Sequence, residues 1–184
     1  MHSDSRVHMV ESAAALISAH GAHAASFSLV LKNSGAPRGS IYHHFPEGKR
    51  QLTEEAMRLA SSRVLEYQRQ LIATTPLEVL NHFIALWRSV VVASDGARGC
   101  AIAGVAVDAD SPSDSLIDVA AEIFRSWTSL LKEQLIATGS DEDNAAALAV
   151  TTLAALEGAL ILCRSERNVI PLDTVAAQLR RLAT

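Results

Sequence analysis

Fifteen residues, Gly35 to Lys49, read GAPRGSIYHHFPEGK and hold the chain's densest patterned set of polar groups. Their types suit contact with a nucleic-acid duplex. Arg38 can donate a bidentate pair to a guanine edge, or hold a phosphate. Gly39 has no side chain to keep another backbone at a distance. The hydroxyls of Ser40 and Tyr42 can reach phosphate oxygens. His43 lies beside them, and Lys49 adds a positive charge at the start of the next element. Adjacent helical residues point about 100° apart, so His43 and His44 do not converge on one metal ion. Glu47 completes no ligand set, and no metal site is expected.

Several helices must hold these residues. Val10, Ala13, Ala14 and Ile17 recur at helical spacing, which predicts a first helix over about 5–20. Gly21 follows and can take the left-handed conformation that ends a helix. Ser26 offers an N-cap before Phe27, Val30 and Leu31, spaced i, i+3, i+4. That second helix ends near Asn33-Ser34-Gly35, a strong turn signal. Pro37 is tolerated at a helix start, so the third helix is expected to hold Arg38 to His44. Ile41 and Phe45, four apart, share its inward face and leave Arg38, Tyr42 and His43 mainly outward. Pro46 and Gly48 break it. A longer helix is expected from Lys49 to about Thr74, with Leu52, Ala56, Leu59, Val64 and Leu71 as its apolar set. Short helices with a tight turn between the second and third make a helix-turn-helix domain. Its second member lies in the major groove, with its N-terminal residues at base edges and phosphate. Free N–H groups at the helix starts favour the anion.

The run SGAPRGSIYHHFPEGKRQL resembles the DNA-binding domain of the TetR family of bacterial transcriptional regulators, most closely the subgroup related to LmrA and YxaF. The shared pattern is a turn, a small residue, Gly-Ser, an aliphatic, Tyr, two further residues, Phe, then a Lys opening a helix. The similarity is strong over about residues 7–56 and diffuse beyond. It implies that Arg38, Gly39, Ser40, Tyr42 and His43 face double-stranded operator DNA. It makes Ser26 and Lys49 phosphate contacts, and Ile41, Phe45 and Leu52 core. Many relatives carry a Thr beside the residue matching Ser26, whereas Ala25 and Ser26 stand here. No Lys or Arg precedes Arg6, where a basic arm would lie.

Charge distribution agrees with contact at one end only. Residues 1–50 hold five Lys and Arg against three Asp and Glu, a net of +2, so with −4 overall the remainder carries −6. Six of the seven histidines also lie in that stretch. The hydrophobic share is 49% and aromatics are 4%; alanine and leucine dominate, without alternating β-branched runs, which favours an all-α fold. About nine helices are expected: a helix-turn-helix domain over 1–50, and a helical ligand-binding and dimerisation domain over 51–184. Cys100 and Cys163 are lone and distant, which points to a reduced, cytoplasmic chain. Met1 to Ser12 lacks a signal-peptide layout, and no uncharged apolar run reaches about 18 residues, so no membrane span is expected. No cofactor is implied.

In the body, Pro76 opens a helix carrying Leu80, Phe83, Ile84, Trp87, Val90 and Val91, ended by Asp95-Gly96-Ala97. Gly99 to Val107 is apolar enough for a buried helix or turn. Ser111-Pro112-Ser113 breaks the chain, and a helix from about Asp114 to Thr138 follows. Gly139 ends that one, Ser140 or Asp141 can cap a helix to about Arg164, and Pro171 begins the last. Between Asn144 and Cys163 the one charged residue is Glu157. A helix that apolar must be covered on nearly every side, so the helices at about 141–164 and 171–184 are expected to pair two copies in a homodimer. The resemblance agrees, implying a four-helix bundle between subunits.

Phe83, Trp87, Cys100, Phe124 and Trp127 are either core or the lining of a cavity for a small apolar effector. Glu157 is either that cavity's polar group or a paired interface carboxylate. His82 is either a satisfied core histidine or a ligand contact. Two functional readings follow. One is a homodimeric repressor released from its operator by the effector. The other is an all-α small-molecule carrier or enzyme with an incidental helix-turn-helix-like segment, for which the sequence offers no nucleophile–base pair, metal set or phosphate loop.

Overall fold

A computed structural model describes residues 2–109 and 115–183, and every regular element among them is helical. The expected break at Ser111-Pro112-Ser113 and the helix start at Asp114 lie outside the described residues. Nine α-helices follow in order: α1 (His2–His20), α2 (Phe27–Ser34), α3 (Ser40–His44), α4 (Lys49–Arg69), α5 (Pro76–Ala93), α6 (Ala101–Asp108), α7 (Ser115–Ala137), α8 (Glu142–Glu166) and α9 (Ile170–Leu182). A 3-10 turn, Ala22–Ala24, joins α1 to α2. The all-α class and the helix count expected from the sequence are both found.

The chain forms two compact units, one of Met1–Ser62 and Cys100–Ile123, the other of Arg63–Gly99 and Phe124–Thr184. In the first, Met9, Ala13, Ile17, Val30, Ile41, Phe45, Leu52, Ala56 and Met57 are almost wholly excluded from solvent. The apolar stripe of α1 (Val10, Ala13, Ala14, Ile17) therefore faces the core as its spacing predicts. Each fully buried large side chain here, such as Ile41 or Phe45, contributes about 1.5–3 kcal/mol. Arg6 of α1 donates to Glu55 of α4 at 2.6 Å and lies 5.6 Å from the centre of the Phe45 ring, tying α1 over the end of α3. Arg58 bridges Glu54 on its own helix and Glu122 of α7. Donation to Glu122 first, then to Glu54, raises the guanidinium pKa above its ordinary value.

In the second unit, α8 and α9 form a hairpin, and α5 packs against both. Val79, Leu80, Phe83, Ile84, Trp87 and Val91 of α5 meet Leu148, Leu156, Leu160, Leu172, Ala176 and Leu179 in this core. Arg88 donates twice to the Asp173 carboxylate, at 2.8 and 3.2 Å, and Arg180 donates to Asn81 at 2.8 Å. Asp141 caps α8 by accepting from the Asn144 N–H at 2.9 Å. At 25 residues and a mean hydropathy of 2.0 in its most apolar window, α8 is long and apolar enough to cross a membrane by length and composition, yet 44% of that window is buried in the fold.

Two of the helix boundaries that differ from expectation have a clear local cause. Helix α4 stops at Arg69 rather than near Thr74, so Leu71 is not on it. The Gln70 N–H is shared between the Glu66 and Tyr67 carbonyls at 3.3 Å, and Leu71 N–H turns back to Gln68 at 3.3 Å, tightening the last turn. Beyond it, Thr74 and Thr75 are committed to α5. Their N–H groups donate to the Glu78 carboxylate at 2.7 and 3.2 Å, while the Thr75 hydroxyl accepts from Glu78 N–H, a complete capping box. The second difference is at α3, which opens at Ser40 instead of Arg38. Pro37, Arg38 and Gly39 form the turn before it, closed by Ser40 N–H to the Pro37 carbonyl at 3.0 Å.

Candidate nucleic-acid interface

The reading segment is built by two caps and one anchored helix. Ser26 adopts an extended conformation and its Oγ accepts from the Leu29 N–H at 3.4 Å, starting α2. Gly35 ends α2 in the left-handed region at φ 68°, its N–H donating to Leu31 at 3.1 Å. The chain can then reverse toward α3 within five residues. Ile41 (0% exposed) and Phe45 (1%) pin α3 to the core. With those two inward, the helix period turns Tyr42 and His43 out, and both are exposed, Tyr42 at 71%.

Every residue singled out as a nucleic-acid contact lies on this unit. Arg38 and Gly39 occupy the exposed turn, with Gly39 in ordinary right-handed backbone at φ −74°. Ser40 is half-buried, and its hydroxyl donates to the Pro37 carbonyl at 2.7 Å, leaving the oxygen's acceptor capacity. Lys49 is exposed at the start of α4, with Nζ 3.5 Å from the His23 carbonyl. Arg50, beside it, is engaged by Glu47 and Glu54. His43 and His44 meet ring edge to ring face at 5.4 Å, and His44 also packs near Phe45 at 6.4 Å. No group of three or more metal-ligating side chains occurs among the described residues.

Three neighbours were not singled out by sequence reasoning. A groove of about 600 Å³ runs between α2 and α3, lined by Phe27, Ser28, Leu31, Lys32, Arg38 and Tyr42 among others. The Phe27 ring meets Tyr42 at 5.5 Å and 77°, edge to face. Lys32 and Ser28 are exposed on the same groove. Spacing placed Phe27 in the apolar set of α2 with Val30 and Leu31, and it is half-buried, with Tyr42 against it. The signal for Lys32 was its place as the one charged residue of α2, one turn from Ser28.

The body residues divide between the units. Phe83, Trp87, Phe124 and Trp127 make one run of rings, with centroids 6.2 Å apart for Phe83–Trp87, 5.8 Å for Trp87–Trp127 and 5.8 Å for Phe124–Trp127. Trp87 and Trp127 are 4% and 1% exposed. Trp87 Nε1 and the Thr152 hydroxyl are buried without a hydrogen-bond partner among the described residues. Glu157 is half-buried on α8. His82 stacks on Tyr67 at 4.1 Å and 12°, with Nε2 2.9 Å from the Tyr67 carbonyl. Cys100 belongs to the other unit, where its sulfur caps α6 by accepting from Ala103 N–H at 3.5 Å. Cys163 is fully buried, and burial pushes its thiol pKa up, away from the reactive thiolate.

Comparison with known proteins agrees with this geometry. A family model described as bacterial regulatory proteins of the tetR family matches residues 10–56, and one described as the C-terminal domain of LmrA/YxaF-like transcriptional regulators matches residues 76–178. A helix-turn-helix-type transcriptional regulator of Mycobacterium tuberculosis is 42% identical over 182 residues, covering 96% of this chain and 93% of the relative. The crystal structure of a TetR regulator from Legionella pneumophila superposes with a TM-score of 0.87 at 22% identity, covering 96% of each chain. A cysteine-substituted TetR-family regulator, CifR, solved with 26-bp double-strand operator DNA, has a TM-score of 0.78 at 20% identity over 97% of this chain and 96% of its own. The chain therefore belongs to the TetR family of bacterial transcriptional regulators, in its LmrA/YxaF-like branch, and is a DNA-binding regulator rather than an enzyme.

Proposed function

We propose that this regulator is a cytoplasmic homodimeric repressor that leaves its operator when a small apolar effector binds the body. The observation that carries the DNA half is α3: Arg38, Tyr42 and His43 are exposed on a segment whose other side, Ile41 and Phe45, is locked in the core. In this reading Arg38 contacts a base edge, and Ser26, Ser40, Tyr42 and Lys49 hold phosphates. Gly39 allows close backbone approach, and His43 lines the groove. CifR's complex with operator DNA supports the same use of the fold. Functionally we divide the chain at about residue 50.

The dimer is supported by α8. Ala147, Val150, Ala154, Gly158 and Ile161 recur at three- and four-residue steps along one exposed side, with Val150 58% and Ile161 68% exposed. A charge-free exposed stripe of that length calls for a second copy. Two-fold pairing through α8 and α9 would set two heads on half-sites about 34–36 Å apart. For the effector, the ring run of Phe83, Trp87, Phe124 and Trp127 supplies apolar contact, and Trp87 Nε1–H and the Thr152 hydroxyl are buried groups that a ligand acceptor or donor would satisfy. Glu157, half-buried on α8 in the same unit, completes our candidate set. Effector binding would then favour a head spacing that no longer fits the operator.

The test is a gel shift on duplex DNA from the gene's own upstream region, across a salt series. Arg38→Ala should weaken specific binding by about 1–3 kcal/mol, and Lys49→Ala should weaken all sequences evenly and lower the salt slope by about one. If Arg38→Ala leaves both affinity and slope unchanged, the reading-helix assignment is wrong.

A further inference from the structure

Helix α6 reaches the hinge of the reading head through one carboxylate. Asp108, its last residue, accepts a hydrogen bond from the Ala22 N–H at 2.8 Å, across 86 residues of sequence. An acidic side chain at a helix C-terminus faces the negative end of the dipole, so nothing local to α6 favours a carboxylate there. The contact explains it. The backbone on the other side is shaped for it too. Gly21 stands at φ 84°, and a Cβ there would lie 2.7 Å from Asp108 Oδ2 and, its chain neighbours aside, meet no other of the described residues within 4 Å. Gly104, one turn earlier on α6, brings its backbone near Gly21 Cα (4.0 Å from a Cβ built at 104) and the Ile17 carbonyl (3.9 Å). Ala101, Ile102 and Val105 bury the rest of α6.

We propose that Asp108 is a positioning residue for DNA recognition: its carboxylate clamps the Gly21–Ala22 turn and fixes the direction in which α2 leaves α1. Lys49 Nζ also reaches this turn, 3.5 Å from the His23 carbonyl, and the other bonds that hold it are short-range. Gly21 N–H closes α1 on Ile17 at 2.9 Å, and Ala24 N–H returns to Gly21 at 3.2 Å. Past it come the buried Ala25, the Ser26 cap, and Phe27, which bears on Tyr42. A charge-assisted bond at the first N–H of the 3-10 turn sets the start of that sequence. Because the acceptor rides on α6, withdrawal of α6 releases the turn. The effect on DNA rests on the operator-binding reading above; the clamp itself does not.

Amide exchange of Ala22, followed by NMR on the full chain without DNA, tests the clamp. Asp108→Ala should speed it about tenfold, and Asp108→Asn, which keeps an acceptor but loses the charge, about threefold. In the gel shift, Asp108→Ala should lower the ratio of operator to non-specific affinity several-fold, with Asp108→Asn restoring most of it. Gly21→Ala should cost less in the Asp108→Ala background than alone, since that carboxylate is what the new methyl meets. Should Asp108→Ala fail to fold, Asp108→Asn carries the exchange measurement. Unchanged Ala22 exchange in these variants, or strictly additive effects of the two substitutions, overturns the clamp. If Asp108→Ala binds operator like the wild type while Arg38→Ala does not, Asp108 has no part in recognition and the reading helix stands.

Discussion

The Phe27 ring of α2 presses edge-on against Tyr42 of α3, centroids 5.5 Å apart and planes 77° apart, while Tyr42 itself remains 71% exposed. A half-buried side chain thus braces an exposed one. Such edge-to-face pairs contribute about 0.5–1.5 kcal/mol beyond their buried area. Phe27→Ala should therefore free Tyr42 to sample other rotamers and lower operator affinity about threefold to tenfold, whereas Phe27→Tyr keeps the brace. Fluorescence anisotropy on labelled operator, with thermal melts run alongside, checks this. Equal affinities for wild type and Phe27→Ala at equal folded fraction would remove Tyr42's orientation from the account.

What the sequence made legible was local. Ser26 reads as a cap because Ser before an i, i+3, i+4 apolar set has few other uses, and its Oγ does accept from Leu29 N–H. The α1 stripe and the Ile41–Phe45 pair read as core because their spacing admits one inward face. Asp108 could not be read this way. Its partner is 86 positions away, and its place at the end of an apolar helix carries no periodic signal. The start of α3 was misplaced because Pro37 suits both a helix's first turn and the turn before it. What distinguishes them is the local turn itself, closed by the Ser40 N–H and hydroxyl on the Pro37 carbonyl, which residue types alone do not specify. The end of α4 was overrun because Leu71 continued the apolar count. The capping demand of Glu78 on Thr74 and Thr75 was decisive instead.

That capping box makes a pH prediction. The Glu78 carboxylate is held below the usual glutamate range, first by the Thr74 N–H, then by the Thr74 hydroxyl and the Thr75 N–H. A carboxyl depressed by folding adds stability that is complete above its unfolded value, about 4.3, and is lost as pH falls through the lower folded value. Glu78→Gln should be less stable than wild type at pH 7, and the gap should narrow steadily below about pH 5 as wild-type Glu78 takes up its proton. Urea melts at pH 7, 5, 4 and 3 measure this. A gap constant over that range would show that the carboxylate's charge contributes nothing to the cap.

Ala154 lies at the middle of the exposed stripe of α8, between Val150 and Gly158. If that stripe pairs two copies, a carboxylate placed there is buried without a partner, at a cost of several kcal/mol. Ala154→Glu should shift sedimentation velocity from dimer to monomer at micromolar concentration, with helical content retained. Operator affinity should fall at least a hundredfold, because one head reads half a site. A variant that remains dimeric places the interface elsewhere.

Thr152 is fully buried on α8 with no partner for its hydroxyl among the described residues. An unmet buried hydroxyl costs about 1–3 kcal/mol, and valine has nearly the same shape without it. Thr152→Val should therefore stabilise the effector-free protein by about 1 kcal/mol, raising Tm by about 2–4 °C for a chain of this size. The same change should weaken any effector that uses the hydroxyl, so stability and effector affinity move in opposite directions. Differential scanning calorimetry with and without effector separates the two. A Thr152→Val protein that melts lower than wild type would mean the hydroxyl is already satisfied, and Trp87 Nε1 would then be the buried donor on offer to a ligand between α5 and α8.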